Sequence, residues 1–561
     1  MRIALVGATG NAGTAVLRAL HRHPEITEVL GIARRLPDQE LEPYDQCEWK
    51  SIDIAAASTE STAVAELTDA FRGCDAVIHL AWMIQPNDRR ELLRRVNVDG
   101  TRRVARAVAA AGVDHLVVAS SVGSYSPDEA REALRKDGTE PPLRDETFPT
   151  EGIESSHYSV DKAAQEDVLD AFEAQHPEVT VTRLRPGLLF QGDAASEIQR
   201  YFLGKSVPPK LLAPETLPSL PLPSGLRLQA LHTADVGEAY VAAVLAKKSG
   251  AFNVCADDVL GPQELADILG TSGKFVEIPP GIVRAALVAA HKSGVVPADA
   301  GWLDMGMQVP LMDNSKAKTE LGWVPEHTAA EALRELLEGL VEGRGHVSAP
   351  LRPRNSAEKN VDALHEPVSA GAAAGGGAAG GSLNGSATSS QIPEVMSSDL
   401  LELYLSDHLT GATAGANRIT RMADDFVDTP VFAQLGQLAD QISAERDFLE
   451  RIINDLGLKQ KPYRQAVAWV GERVGRLKGN GKVVERSPMT MLLETELMRG
   501  AVNAKIGGWE CLREHADTLG LDPAVFDAMI KNSYKQVELL EEVHAYARPR
   551  ALRDDEDIYW D

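Results

Sequence analysis

At 561 residues the chain exceeds one compact domain and calls for roughly two to four folding units. Its 44% hydrophobic and 25% charged residues are ordinary globular material. A formal net charge of −25 excludes a general nucleic-acid binder, because no basic surplus exists to neutralise phosphates.

The sequence begins with an apolar run of strand length at 1–6, followed by Gly7-Ala-Thr-Gly10-Asn-Ala-Gly13 and a helical pattern with Ala15, Leu17 and Leu20. Glycines at such a turn let the backbone bend tightly and approach a pyrophosphate, whose charge then sits against the free N–H groups of the next helix. The spacing is Gly-x-x-Gly-x-x-Gly, and a glycine triplet alone also marks turns that bind nothing. No basic and apolar leader precedes this strand, and no apolar run approaches the roughly 20 residues that span a bilayer, so a cytoplasmic protein without a membrane partner is expected. Four scattered cysteines, Cys47, Cys74, Cys255 and Cys511, lack Cys-x-x-Cys spacing and point to neither a disulfide framework nor a zinc site.

Further strands are predicted at 28–33, 75–81, 115–120 and 179–185, with a helix opening at Asn97 and running to 111. Strands alternating with helices of this length predict an α/β fold, a doubly wound parallel sheet with helices on both faces. The stretch from 186 to 350 is irregular. Pro208, Pro209, Pro214, Pro218, Pro221 and Pro223 exclude a central strand there. A helix at 234–245 and a strand at 251–255 read as returns to the main sheet. The expected organisation is a domain over 1–350, with a core at about 1–185 plus returns near 232–256, and a small substrate lobe from 186–230 and 257–350. A Gly/Ala/Ser-rich flexible linker over 351–394 follows, then an all-α helical bundle over 395–550.

Tyr158-Ser-Val-Asp-Lys162 carries the candidate chemistry. On a helix, residues four apart share a face, and an ammonium near a phenol favours the phenolate, bringing its pKa toward the range of proton transfer. A lone Tyr-x-x-x-Lys is equally a surface pair. Here, however, Ser120-Ser121 places hydroxyls at the carboxyl end of the 115–120 strand, where ligands of open α/β sheets bind.

With these pieces in place, residues 1–345 resemble the extended short-chain dehydrogenase/reductase family, also described as NAD-dependent epimerase/dehydratase. The resemblance rests on Gly7-x-x-Gly10-x-x-Gly13, Asp53-Ile54, His79-Leu-Ala81, Asn97-Val-Asp-Gly-Thr101, Ser120-Ser121, Tyr158-x-x-x-Lys162, Arg185-Pro-Gly187, His232-Thr-Ala-Asp-Val236 and the stretch 314–325. It implies a Rossmann-type sheet, with Tyr158 as the acid/base. Lys162 would lower its pKa and bind the nicotinamide ribose, and Ser121, rather than Ser124, would bond the reacting oxygen. Gly7, Thr9, Gly10, Asn11, Ala12 and Gly13 would hold the pyrophosphate. Asp53 and Ile54 would flank the adenine; Leu80, Ala81, Trp82, Asn97 and Pro186 would border the rest of the cofactor. NAD-preferring members carry an acidic residue at the end of the second strand, whereas this chain has Arg34-Arg35. Guanidinium forks there favour NADP, with NAD as the other candidate. The expected function is NADP-dependent oxidation or reduction of a carbonyl or secondary alcohol in a small-molecule substrate. Nucleotide-sugar epimerase/dehydratase chemistry and a non-catalytic dinucleotide sensor are the alternatives. Trp82-Met-Ile84, Leu188-Leu-Phe190 and 206–226 are candidates for an apolar pocket wall, while His157 and His232 read as packing or hydrogen-bonding residues.

Bundle helices are predicted from about 400, at 432–456, 463–477, 488–519 and 523–546. Carboxylate-bridged di-iron bundles need two Glu-x-x-His pairs, and only Glu541-x-x-His544 has that spacing. Glu402, His408, Glu445, Glu450, Glu494 and Glu496 therefore read as solvated or packing residues, and no metal is expected. A homodimer is the candidate assembly, and the sequence assigns no partner to the bundle.

Overall fold

The computed structural model describes residues 1–55, 60–85, 90–204, 213, 219–271, 274–293, 295–348, 350–353, 392–393, 396–426, 429, 431–458 and 488–552. The chain divides into two compact units, Met1–Arg354 and Asn355–Asp561.

In the first unit, β1 (Arg2–Val6) leads through the glycine turn into α1 (Asn11–Arg22). β2 (Glu28–Ala33), β3 (Glu48–Ser51), α2 (Glu60–Phe71), β4 (Ala76–His79), α3 (Gly100–Ala111) and β5 (His115–Ala119) follow. The catalytic-helix candidate is α4 (His157–Gln175), succeeded by β6 (Thr180–Pro186), α5 (Thr233–Ala246) and β7 (Gly250–Val254). The seven strands form one sheet in the order β7-β6-β5-β4-β1-β2-β3, and every pairing is parallel. Successive side chains of a strand point to opposite faces, so Ile3 and Leu5 enter one core with Leu17, Leu20, Tyr240 and Phe252. Ala4 and Val6 enter the other with Phe71, Val108, Leu169 and Phe172. Both faces are apolar because both are covered by helices, as the alternation in the sequence predicts.

Chain direction across the sheet reverses between β1 and β4, which opens a crevice at their carboxyl ends. The helix expected to open at Asn97 instead starts at Arg90 and passes through a wide π turn at Arg95–Asp99 before continuing as α3. Asn97 is thus interior to the helical run. In the lobe, Leu220–Pro223 pairs only with Phe275–Ile278, an edge position that tolerates Pro221 and Pro223. The stretches 205–212 and 214–218 lie outside the described residues. The further helices of this unit include α6 (Ala300–Gln308) and α7 (Ala329–Glu342).

The second unit is built on α8 (Ser398–Asp425), α9 (Phe432–Asp455), α10 (Pro488–Glu514) and α11 (Pro523–Ala547). Leu435, Leu438, Met498 and Leu540 centre one core, and Leu405, Leu449, Trp509 and Phe526 a second. Gly457, at φ 69°, follows the last turn of α9. The expected helix at 463–477 lies outside the described residues, as does nearly all of the expected linker. Among the described residues no helix is long and apolar enough to cross a membrane, and all four cysteines are free.

Helix α4 is pinned to the sheet by one buried carboxylate. Glu166, 1% exposed, accepts from Arg183 Nη1 at 2.8 Å, from Arg185 Nε and Nη2 at 2.9 and 3.1 Å, and from Ser120 Oγ at 2.5 Å. Burial alone would raise its pKa; the two guanidinium groups and Ser120 overcome that and lower it from 4.5 to about 2. A depressed carboxylate pKa stabilises the fold fully above pH 4.5, and that contribution is lost as pH falls toward 2. Glu166→Ala would strand two buried cations. We expect it to cost on the order of 3–5 kcal/mol by denaturant titration near neutral pH, with the difference from wild type shrinking below pH 4.

Candidate active site

The first element of the site is the turn after β1. Gly7 adopts φ 89°, and a Cβ there would lie 2.6 Å from Ala81 N, so the turn rests directly on the segment after β4. A Cβ on Gly13 would lie 2.3 Å from Gly7 O, which fixes α1 against the turn. Gly10 differs: the nearest atom to its ideal Cβ is Gly7 O at 3.7 Å, an ordinary contact. Gly10 is also the N-cap of α1, with no side-chain cap, and the first helical bond runs from Thr14 N to Gly10 O at 2.9 Å. The N–H groups of Asn11, Ala12 and Gly13 therefore precede the helical ladder and carry the positive end of its dipole. Gln191 Nε2 donates to Asn11 Oδ1 at 2.6 Å, and Ser348 Oγ to Thr9 O at 2.8 Å, which hold the turn from the lobe side.

Along the rim, Arg34 and Arg35 follow β2, both half-buried. The Arg35 charge acts on Glu197, whose carboxyl is raised by burial to about 7 against the pull of Arg200 and Arg35. Asp53 Oδ1 accepts from Ala55 N at 2.9 Å, and Ile54 is buried beneath Gly100, whose Cβ would lie 2.8 Å from Ile54 Cδ1. Leu80 N donates to Val6 O at 2.8 Å. The Asn97 carboxamide is spent on Met83, accepting from its N–H at 2.7 Å and donating to its carbonyl at 2.9 Å. Asn97 thus shapes the segment that carries Leu80, Ala81 and Trp82. Pro186 ends β6, and Gly187 N donates to Val254 O at 3.1 Å.

Three elements bring the reacting groups together. β5 ends in alternation: Ser120 turns back to Glu166, while Ser121 accepts from Gly123 N at 3.0 Å and hydrogen-bonds Tyr158. A Cβ on Gly123 would lie 2.9 Å from Tyr158 Cε1, so glycine admits the ring. Ser159 donates to Gly123 O and accepts from Ile153 N at 2.6 Å, tying the start of α4 to the same turn. Ser124 Oγ is occupied with Ser121 O at 2.8 Å. The Tyr158 ring lies between Trp82 (centroids 5.9 Å) and Trp302 of α6 (4.9 Å), with Phe202 on the far side of Trp302.

Burial pushes the Tyr158 phenol up to about 12, opposed by the bond to Ser121. This departs from the expectation that Lys162 lowers it. Lys162 Nζ donates to Ala119 O at 2.7 Å and Gln165 Oε1 at 3.1 Å, and sits 3.5 Å from the centre of the Trp82 ring and 6.0 Å from that of Tyr158. Burial lowers the Lys162 pKa well below that of an ordinary lysine, against Glu166 and Asp161. Behind it Gln165, Thr101 and His79 form a buried chain of bonds of 3.0–3.1 Å, and burial pushes the His79 imidazole down to about 3.

Sequence reasoning missed Trp302, Glu197 and Ser159. Trp302 and Glu197 arrive from segments with no motif of their own, whereas Ser159 lies within the Tyr158–Lys162 motif. Leu188 and Phe190, candidates for the pocket wall, pack instead against the lobe core of Leu226 and Leu260. His157 bonds Asp299 at 3.0 Å; His232 bonds Glu335 at 2.8 Å and caps α5. In the bundle, Glu494 pairs with Arg418, Glu450 with Arg446, Glu541 with Arg499, and Glu496 with His544. Among the described residues no group of three His, Cys, Asp or Glu side chains is placed to hold a metal.

Residues 3–255 match the NAD dependent epimerase/dehydratase family. Over 217 residues the chain is 32% identical to a NAD-dependent glucose-6-phosphate dehydrogenase of Haloferax volcanii, covering 35% of this chain and 72% of that one. The chain belongs to this family. It is also 25% identical over 372 residues to a ceramide reductase of Caulobacter vibrioides, covering 64% of this chain and 98% of that one. A dTDP-glucose 4,6-dehydratase from Streptomyces venezuelae, solved with NAD bound, is 19% identical with a TM-score of 0.43, covering 63% of this chain and all of that one. The protein is an NAD(P)-dependent enzyme of the extended short-chain dehydrogenase/reductase type. The open cradle at Gly10, the uncapped start of α1 and the unpartnered buried Trp82 Nε1 fit a dinucleotide.

Because Gly10 has room for a side chain and Gly13 has none, the two positions separate binding from folding. Gly10→Val should leave the melting temperature within a few degrees of wild type while weakening NAD(P) binding at least about tenfold in a fluorescence titration. Gly13→Val should lower both. A Gly10→Val protein with unchanged affinity would remove the turn from the cofactor site.

Proposed function

We propose that this enzyme is an NADP-dependent oxidoreductase acting on a carbonyl or secondary alcohol of a largely apolar small molecule, with Ser121, Tyr158 and Lys162 at the reacting centre. The observation that carries this reading is the Tyr158 phenol, bonded to Ser121 and walled by Trp82 and Trp302. The cofactor would supply or accept the hydride. Gly7 through Gly13 would hold its pyrophosphate, and Arg34 and Arg35 its 2′-phosphate.

In the reducing direction, a phenol whose pKa is pushed up to about 12 is fully protonated at neutral pH. Tyr158 gives that proton to the substrate oxygen as charge develops on it, and the bond from Tyr158 Oη to its hydrogen breaks as the new O–H forms. Ser121 accepts from Gly123 N with one lone pair, and its O–H, which bonds the Tyr158 phenol, would turn to steady the same oxygen once substrate binds. Lys162 is buried against neutral acceptors and a ring face; nearby anionic charge favours its ammonium, and the ammonium in turn favours phenolate after transfer. The aromatic wall excludes water and favours apolar substituents beside the reacting carbon, in keeping with the ceramide reductase among the relatives.

Tyr158→Phe should reduce turnover by about 10²–10⁴ while leaving cofactor affinity within about twofold, read from NADPH absorbance across a panel of aldoses and apolar ketones. Turnover near wild type would overturn the role of Tyr158.

Glu197 gives the NADP preference a pH dependence. Below about pH 7 its carboxyl is neutral and leaves Arg35 to a phosphate; above it the carboxylate competes for Arg35 and repels the phosphate. The NADP-over-NAD affinity ratio should therefore fall between about pH 6 and pH 8. Glu197→Gln should raise the ratio several-fold at pH 8 and scarcely change it at pH 6. Arg34→Asp should lower it at both. A ratio unaffected by all three conditions would make the arginines bystanders.

A further inference from the structure

The helical unit contains a cavity of about 310 Å3 between α8, α9 and α10, far in sequence from every residue of the catalytic site. Its walls are mostly apolar, from Leu405, Ile442, Leu449 and Met498. It exists because small residues face it from two helices. At Gly415 of α8, which is buried, the nearest atom to an added Cβ is Met498 Cε at 4.0 Å; Gly411 lies exposed at the rim, and Ala501 and Ala504 line the cavity from α10. Glycine inside a helix costs about 1 kcal/mol relative to alanine, so this stretch keeps the space open at the expense of helix stability.

Polar groups border one end of this apolar space. Trp509 is 3% exposed, lines the cavity, and its Nε1–H has no acceptor among the described residues. A buried donor without a partner costs about 1–3 kcal/mol, and an indole nitrogen can only donate. Lys505 also lines the cavity. Its ammonium bonds Glu445 and Gln536, two of its three donors, and Glu445 is held further by Asn532 and Gln536 at 2.9 Å each. Lys505 pairs with Glu445, and the other two charged lining residues, Asp407 and Arg446, are also opposite in sign, so the lining has no net charge to offer an ion. His408, in contact with the Tyr404 ring at 4.5 Å, completes the polar end and is kept neutral by burial.

We propose that this cavity is a binding site for an uncharged, mainly apolar small molecule of about ten to fifteen non-hydrogen atoms carrying one hydrogen-bond acceptor, such as a ketone, aimed at the Trp509 indole N–H. The ligand acceptor satisfies the buried donor, and its apolar body fills space that the glycines leave open. An apolar ligand without an acceptor leaves the indole unpaired. A carboxylate would bring an uncompensated charge beside an already neutral ion pair.

The test is calorimetric titration of the full chain with three molecules of similar size: benzylacetone, butylbenzene and phenylbutyrate. The expected result is one benzylacetone bound per chain at this site, with the hydrocarbon and the carboxylate each at least about tenfold weaker. Trp509→Phe should bring benzylacetone down to the level of butylbenzene and leave butylbenzene unchanged. Gly415→Leu fills the cavity and should remove this binding while the far-ultraviolet circular dichroism and melting temperature stay near wild type. If that variant does not fold, Gly411→Phe at the rim takes its place. Binding that persists undiminished in the filled variant belongs elsewhere in the chain and overturns the assignment. So do a carboxylate that binds more tightly than the ketone, and a Trp509→Phe protein that binds all three as wild type does.

Discussion

The site depends on where α4 sits, and α4 is held by Glu166. One buried carboxylate takes both guanidinium groups of β6 and the Ser120 hydroxyl at the end of β5, so helix and sheet are joined at the edge where the crevice opens. A carboxylate in that position is tolerable only because its acceptor sites are met by charged or hydroxyl donors. One helical turn before it lies Lys162, and one turn earlier Tyr158, so fixing Glu166 fixes the register of both against Ser121. The adjacent serines divide the work by strand alternation, Ser120 facing the anchor and Ser121 the phenol. The Arg185 of the Arg-Pro-Gly motif is thereby explained as scaffold, since its guanidinium bonds Glu166, Tyr125 and the Glu146 carbonyl.

Much of this arrangement was legible from local pattern. Strand-turn-helix at 1–20 could be read because the glycine spacing and the apolar run are contiguous, and Tyr158 and Lys162 because four-residue spacing on a helix is geometry. What could not be read is what the chain brings from a distance. Trp302, which completes the wall around Tyr158, comes from a helix more than a hundred residues later and has no spacing that links it to the motif. Glu197 reaches the electrostatic surroundings of Arg35 by the same kind of long-range placement. The π turn at Arg95–Asp99 was hidden for another reason: its periodicity differs from that of an α-helix by one residue over a single turn, too little to register in a pattern. In the bundle, the first helix, expected to begin at about residue 400, runs 28 residues from Ser398 to Asp425, through the small-residue stretch 410–416.

Perturbed ionisation by itself does not separate scaffold from site in this molecule; the completeness of the partner set does. Glu166 is strongly shifted, yet arginines and a hydroxyl answer its charge, and nothing in its surroundings calls for a further molecule. Lys162 is also shifted down, but there burial disfavours its charge; its Nζ bonds a carbonyl and an amide oxygen beside a ring face, and Glu166 and Asp161 act on it through space. Tyr158 has a raised pKa and a hydroxyl neighbour in Ser121, and burial lowers the Lys162 pKa, so anionic charge arriving nearby would favour the Lys162 ammonium. The same criterion sorts the bundle. Glu445 and Lys505 satisfy each other with Asn532 and Gln536 as supports, and on their own they describe a buried structural pair. Trp509 has a donor with no acceptor among the described residues, at a wall where Gly415 holds space open. An unmet group beside solvent is satisfied by water at no cost, whereas an unmet group inside an apolar cavity raises the energy of the folded chain until something binds it. That difference supports Tyr158 with Lys162 in one unit, and Trp509 in the other, as the proposed places for this protein to receive a molecule.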